Sequence, residues 1–241
     1  VGSQGEMEPL LVINLVVAIA AMLGIAVALR RPLPGTSDEA VSVGFHELRR
    51  LYSDPVLGRL GTLIFVGMGV FNALATWLEV LLSPSGVTSS AASWMLVVTA
   101  VAGIAGAILI APWVAARSRE QVYLQFTALV GGIVFAAFAV IEPAAINYVL
   151  LAVLGFLLLG AQPVLLEISE RRAGRTAASA AGALFLAGNL GGIVLAVIVQ
   201  TVNSKPSVAF ALLALAMLVI APIAHSLKPG FNAPMEQSDA A

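Results

Sequence analysis

The feature that most limits the folds open to this chain is a unit repeated between Leu60 and Leu227: a long apolar run closed by a short turn. The runs are Leu60–Leu82, Trp94–Ala115, Val122–Ile141, Ile146–Leu166, Ala177–Gln200 and Val208–Leu227, and Leu10–Leu29 precedes them. A helix of about 20 such residues, rising about 1.5 Å each, crosses the hydrocarbon core of a bilayer. Leu10–Leu29 competes with a signal peptide, but it lacks a basic leader and is long for a cleaved apolar region. The prediction is an all-α polytopic membrane bundle with seven transmembrane helices. Composition agrees: 60% of the 241 residues are hydrophobic and 10% charged, far from soluble usage.

Charge then orders the spans. If the first helix runs inward, every one of the 12 Lys and Arg except Lys205 falls on one side. That side is the cytoplasm by the positive-inside bias, so the N-terminus is expected outside and the C-terminus inside a multi-pass cell-membrane protein. Four regions follow. Residues 1–31 form an outer tail and first helix, 32–59 a cytoplasmic linker, 60–228 a six-helix bundle, and 229–241 a disordered cytoplasmic tail. Within the linker, Val43–Tyr52 reads equally as a short surface helix and as a solvated segment.

The stretch Gln162–Val194 carries the densest signal. An apolar helix ends in Glu167, Glu170, Arg171, Arg172 and Arg175, and a short hairpin turn bearing these three arginines leads at once into the next helix. There Gly188, Gly192 and Ala196, four apart, make a smooth strip on which another helix can lie. Asn189 beside them needs a polar partner or an aqueous cavity. Gln162 adjoins Pro163, whose ring releases a carbonyl one turn earlier. Glu167 lies one turn before Arg171, the spacing of a local ion pair.

On the helix Leu60–Leu82, Asn72, Thr76 and Glu79 share one face. Two readings of Glu79 stand: a carboxylate that snorkels to the interface, or one that faces a cavity and binds a cation, proton or polar solute group. Glu79, Asn72, Thr76, Gln162 and Asn189 are therefore the candidate solute- or ion-binding residues.

Other chemistry finds no support. The chain has no cysteine and two histidines, His46 and His225, so no metal site or cofactor is expected. Protease, esterase and phosphate-loop motifs are missing, and the chain is not read as an enzyme. Its near-neutral charge gives no reason to expect nucleic acid. A seven-helix receptor and a non-transporting scaffold remain as alternatives.

The last six spans, with the long loop before them, resemble the C-terminal half of a major facilitator superfamily transporter. The segments VFNALATWLEVLL, QPVLLEISERR and SAAGALFLAGNLGGIVL are most similar to the branch of the feline leukaemia virus receptor-related transporters. The resemblance implies two six-helix halves around a central cavity, moving a small organic solute by alternating access, with a proton or cation as a coupling partner. It also implies a loop motif that Gly106, Pro112, Arg117 and Arg119 fit, with Ala116 where an Asp is usual. Arg117, with Glu167 and Arg171, is thereby a gating candidate. Such a transporter needs more helices than these, so the chain is expected to be truncated. The missing N-terminal half or a partner chain would complete it.

Overall fold

In the computed structural model, residues 53–141 and 143–227 are described, together with Leu15, Val16, Ile19, Ala20, Met22, Leu23 and Gly24, all helical. The rest of the first span, the linker to residue 52 and the C-terminal tail lie outside the described residues. Six helices follow: α1 (Pro55–Leu82), α2 (Ser89–Ala116), α3 (Glu120–Phe138), α4 (Ala144–Ala173), α5 (Ala177–Val202) and α6 (Pro206–His225). All six are long and apolar enough to cross a membrane. Among the described residues there is no strand.

Local chemistry sets the ends. Asp54 caps α1, its Oδ1 accepting from the backbone N–H groups of Val56 and Leu57 at 2.8 and 3.0 Å, and Pro55 fills the first helical position, where its missing N–H costs nothing. Hydropathy suggested a start at Leu60, because it does not register a polar cap. Likewise α4 runs past Leu166 to Ala173. Arg171 and Arg172 therefore belong to its last turn, where cations favour the helix dipole, and not to the connecting turn. Gly174, at φ +54, ends the helix in a conformation that suits glycine.

The helices are apolar around most of their circumference, as lipid contact requires. Their closest associations are α1 with α5, α2 with α4, and α3 with α6. Exchanging the first three helices for the last three maps α1·α5 onto α4·α2 and returns α3·α6 to itself. Individual residues obey the same exchange. A Cβ added to Gly191 would run into the Phe65 carbonyl, and one added to Gly106 would run into that of Phe156. Gly69 lies against the Gly191 backbone as Gly160 lies against that of Gly106, and Gly188 meets Met68 as Gly103 meets Leu159. With three helices per repeat, the two copies run in opposite directions across the membrane, an inverted repeat.

Both crossings bring backbones together where only glycine fits, the small-residue packing that associates helices in lipid. The strip on α5 is thus a helix contact, as its spacing predicted. Its tightest approach comes at Gly191, and the Ala196 carbonyl accepts from Trp77 Nε1 at 3.0 Å. Tyr123 of α3 donates to the Leu157 carbonyl of α4 at 2.8 Å. Phe138 and Phe210 stack at 5.1 Å between α3 and α6.

Candidate functional site

At one end of the bundle, the last turn of α4 gathers the first turns of α1 and α3. Asp54 uses Oδ1 to cap α1 and Oδ2 to accept from Arg172, at 3.1 Å from Nε and 2.7 Å from Nη2. Both side chains are nearly buried, 9% and 10% exposed. Burial works against the Asp54 carboxylate, but the Arg172 hydrogen bonds, the Leu57 and Val56 N–H groups and the Arg172 charge outweigh it. The carboxyl is held below its ordinary value of 3.8. Beside it, Arg171 Nη2 lies 2.6 Å from Glu120 Oε1, with the Glu120 side chain only 3% exposed.

The predicted pair of Glu167 and Arg171 is present at 3.8 Å, between half-exposed groups. It is the weaker of the two contacts Arg171 makes. Around these pairs, Arg59 Nη1 donates to the Ser226 carbonyl at 3.2 Å and Gln121 Nε2 to the His225 carbonyl at 2.6 Å. His225 Nδ1 lies 3.2 Å from Gln125 Oε1, so α1 and α3 also hold the end of α6. Arg117 joins none of these pairs. Its guanidinium stands 4.6 Å above the Trp113 ring, on the surface.

Neither Asp54 nor Glu120 is visible as a site residue in the sequence. Asp54 reads as one of several linker charges, and Glu120 as part of a short polar loop. The dipeptide Asp54-Pro55 is a helix-start signal that could have moved α1 to its true beginning. The partners of the arginines depend on helix packing, which local spacing does not encode.

The α1 face carries the other candidates. Thr76 and Glu79 are exposed and Asn72 is half-buried. Thr76 Oγ1 donates to the Asn72 carbonyl at 2.8 Å, and the Asn72 amide lies against Gly192 on α5. The Glu79 side chain has no hydrogen bond or ion pair among the described residues. The 28 residues of α1 extend about 42 Å against a hydrocarbon core of about 30 Å. Asn72 and Thr76 therefore lie within the core, and Glu79 near its edge. Asn189 is exposed, and its Nδ2 returns to its own helix, 2.8 Å from the Phe185 carbonyl.

Gln162 is not on that face. It lines a cavity of about 30 Å³ between α1, α3, α4 and α6 with Thr127, Gly67 and apolar side chains, room for about one water. Thr127 Oγ1 and both polar atoms of the Asn147 side chain are buried without a hydrogen-bond partner among the described residues. A larger groove of about 620 Å³ between α2, α3 and α4 is lined by apolar side chains and Tyr148. The Tyr148 hydroxyl is used on the Ala91 carbonyl at 3.2 Å, so the groove has no charged group to select a polar solute. Among the described residues no cluster of His, Asp and Glu suits a metal ion.

The architecture and the sequence comparisons agree. The family model that matches is that of the Major Facilitator Superfamily, membrane transporters, over residues 2–196. An uncharacterized protein of Archaeoglobus fulgidus is 28% identical over 146 residues, covering 60% of this chain and 67% of that protein. The family match takes in the region ahead of α1, both glycine crossings and the paired charges at the end of α4. This chain belongs to the Major Facilitator Superfamily.

Proposed function

We propose that the six described helices act as the C-terminal half of a secondary active transporter, which moves a small organic solute by alternating access. In this reading Asn72 and Thr76 line the solute pathway and Glu79 stands at its mouth, where it exchanges a proton or binds a cation. The opposite end is a gate, with Glu167 and Arg171 on its rim and the pairs Asp54–Arg172 and Glu120–Arg171 holding it together. Gln162 and Asn189 contribute polar groups at membrane depth, and Arg117 belongs to the surface of the gate end. The helices that complete the enclosure belong to the other half of the transporter or to a partner chain.

One observation carries the reading. Glu79 is exposed and unpaired among the described residues, on the face that also presents Asn72 and Thr76 inside the core. Polar groups at that depth turned to lipid are costly, and they mark solute and ion pathways where they occur. The test is transport by the complete transporter in proteoliposomes, measured across pH. Glu79→Gln is expected to fold normally and flatten the pH dependence, and Glu79→Leu to abolish transport. Parental transport by both variants at every pH would make Glu79 a snorkelling interface residue.

A further inference from the structure

We propose that the turn between α2 and α3 is a binding surface for the phosphate of anionic phospholipids in the leaflet at the arginine-bearing end. The turn presents two exposed guanidinium groups, Arg117 and Arg119. Neither has a hydrogen bond or ion pair from its side chain among the described residues. The acid that should neutralise them is next in sequence, but Glu120 is 3% exposed and is engaged by Arg171 at 2.6 Å. Asp54 is likewise taken by Arg172, and Ala116 brings no carboxylate. The inward ion pairs thus consume the charges of Asp54 and Glu120 and leave the turn itself positive.

Trp113 identifies the source of the anion. It lies three residues before the end of a 28-residue helix, and by the same length arithmetic as α1 it sits near the edge of the hydrocarbon core. The residue is 49% exposed, at the depth where indoles anchor helices among headgroups. The Arg117 guanidinium lies over that ring at 4.6 Å, so the cation is held at headgroup level and does not extend into bulk water. Ser118, at φ +50, makes the tight reversal that keeps Arg119 beside it. Two cations and an indole at one depth fit a lipid phosphate with its acyl chains against the apolar face of α2. A soluble phosphate would gain nothing from the indole.

The test uses the whole chain with Trp77→Phe and Trp94→Phe, which leaves Trp113 as the fluorophore. It is reconstituted in phosphatidylcholine bilayers containing phosphatidylglycerol, with brominated acyl chains on one lipid or the other. Brominated phosphatidylglycerol should quench Trp113 beyond its mole fraction. Arg117→Gln or Arg119→Gln should each weaken that preference about fivefold, the equivalent of ~1 kcal/mol per basic side chain at an anionic surface. The double variant should remove it, while Lys205→Gln at the other end and added inorganic phosphate should leave it unchanged. Equal quenching by the two lipids, or a preference that survives the double variant, would overturn the proposal. So would an equal loss in Lys205→Gln, which signals general charge attraction, or displacement by inorganic phosphate, which assigns the patch to a soluble anion. Should the tryptophan variants misfold, the parent's thermal stabilisation by phosphatidylglycerol gives the same comparison, and its persistence in Arg117→Gln/Arg119→Gln would overturn the proposal equally.

Discussion

The two ends of the bundle handle charge in opposite ways. At the end of α4, Asp54 and Glu120 turn inward onto Arg172 and Arg171, and three helices are joined by one nearly buried ion pair and one whose carboxylate alone is buried. At the far end of α1, Glu79 is exposed and has no partner among the described residues, with Thr76 a turn below it. The paired end is complete by itself. The unpaired end presents polar groups whose partners must come from solvent, solute or another part of the transporter. Under the proposed transport cycle, this asymmetry is the feature to break.

The largest effect is expected at Asp54. Asp54→Asn keeps an oxygen for the α1 cap but removes the carboxylate charge that faces Arg172, and should cost about 3 kcal/mol, the low end for removing one partner of a buried pair. Asp54→Ala also removes the cap and should cost about 1 kcal/mol more. Reversible unfolding in mixed micelles would measure both, and a neutral Asp54→Asn would mean that the paired end is not held by its charges. The pH dependence has a definite sign. Because the folded carboxyl titrates below 3.8, its contribution is complete above that value and is lost as pH falls through the folded pKa. Asp54→Asn should abolish this part of the acid sensitivity.

Smaller effects are expected at the glycine crossings, where helix backbones approach most closely. Gly191→Ala and Gly106→Ala each push a Cβ into a facing carbonyl, and should cost about 1–3 kcal/mol by overpacking. The inverted repeat predicts similar losses at the two sites. Gly67→Ala, with nothing within 4 Å of the added carbon, should instead stabilise α1 by about 0.5–1 kcal/mol. Thermal unfolding of the three variants would separate a symmetric scaffold from two unrelated contacts.

Least is expected of Glu167. Its pair with Arg171 is 3.8 Å long and half-exposed, so Glu167→Gln should cost about 0–1 kcal/mol. Glu120→Gln should cost more, about 1.5–3 kcal/mol, because it removes a buried charged hydrogen bond. The reverse ranking, measured in the same unfolding assay, would return the gate to the local pair.

This ranking marks what could be read along the chain. Spans were legible because each is a continuous apolar run, and the α5 strip because Gly188, Gly192 and Ala196 recur at helical spacing. The partners of the strip were not legible. That Phe65 answers Phe156, and Gly69 answers Gly160, is apparent only once α1 lies on α5 and α4 on α2. Spacing found Glu167 for Arg171 because four residues on a helix are one turn. It missed Glu120, which is distant in sequence and close only through the packing of α3 on α4. On α1, Asn72, Thr76 and Glu79 follow one another at helical spacing, while Gln162 lies apart from them and lines a small cavity between α1, α3, α4 and α6.

The central claim, that the α1 face borders water, is tested most directly by Thr76→Cys in this naturally cysteine-free chain. In sealed vesicles with the complete transporter, a membrane-impermeant thiol reagent is added to the Glu79 side, and Ser85→Cys in the turn that follows the same helix serves as the reactive control. Modification of Cys at position 76 from that side, at a rate that falls when solute is added, is the predicted result. No modification from that side, with the control fully reactive, would mean that Thr76 faces lipid and that the proposed pathway does not run along α1.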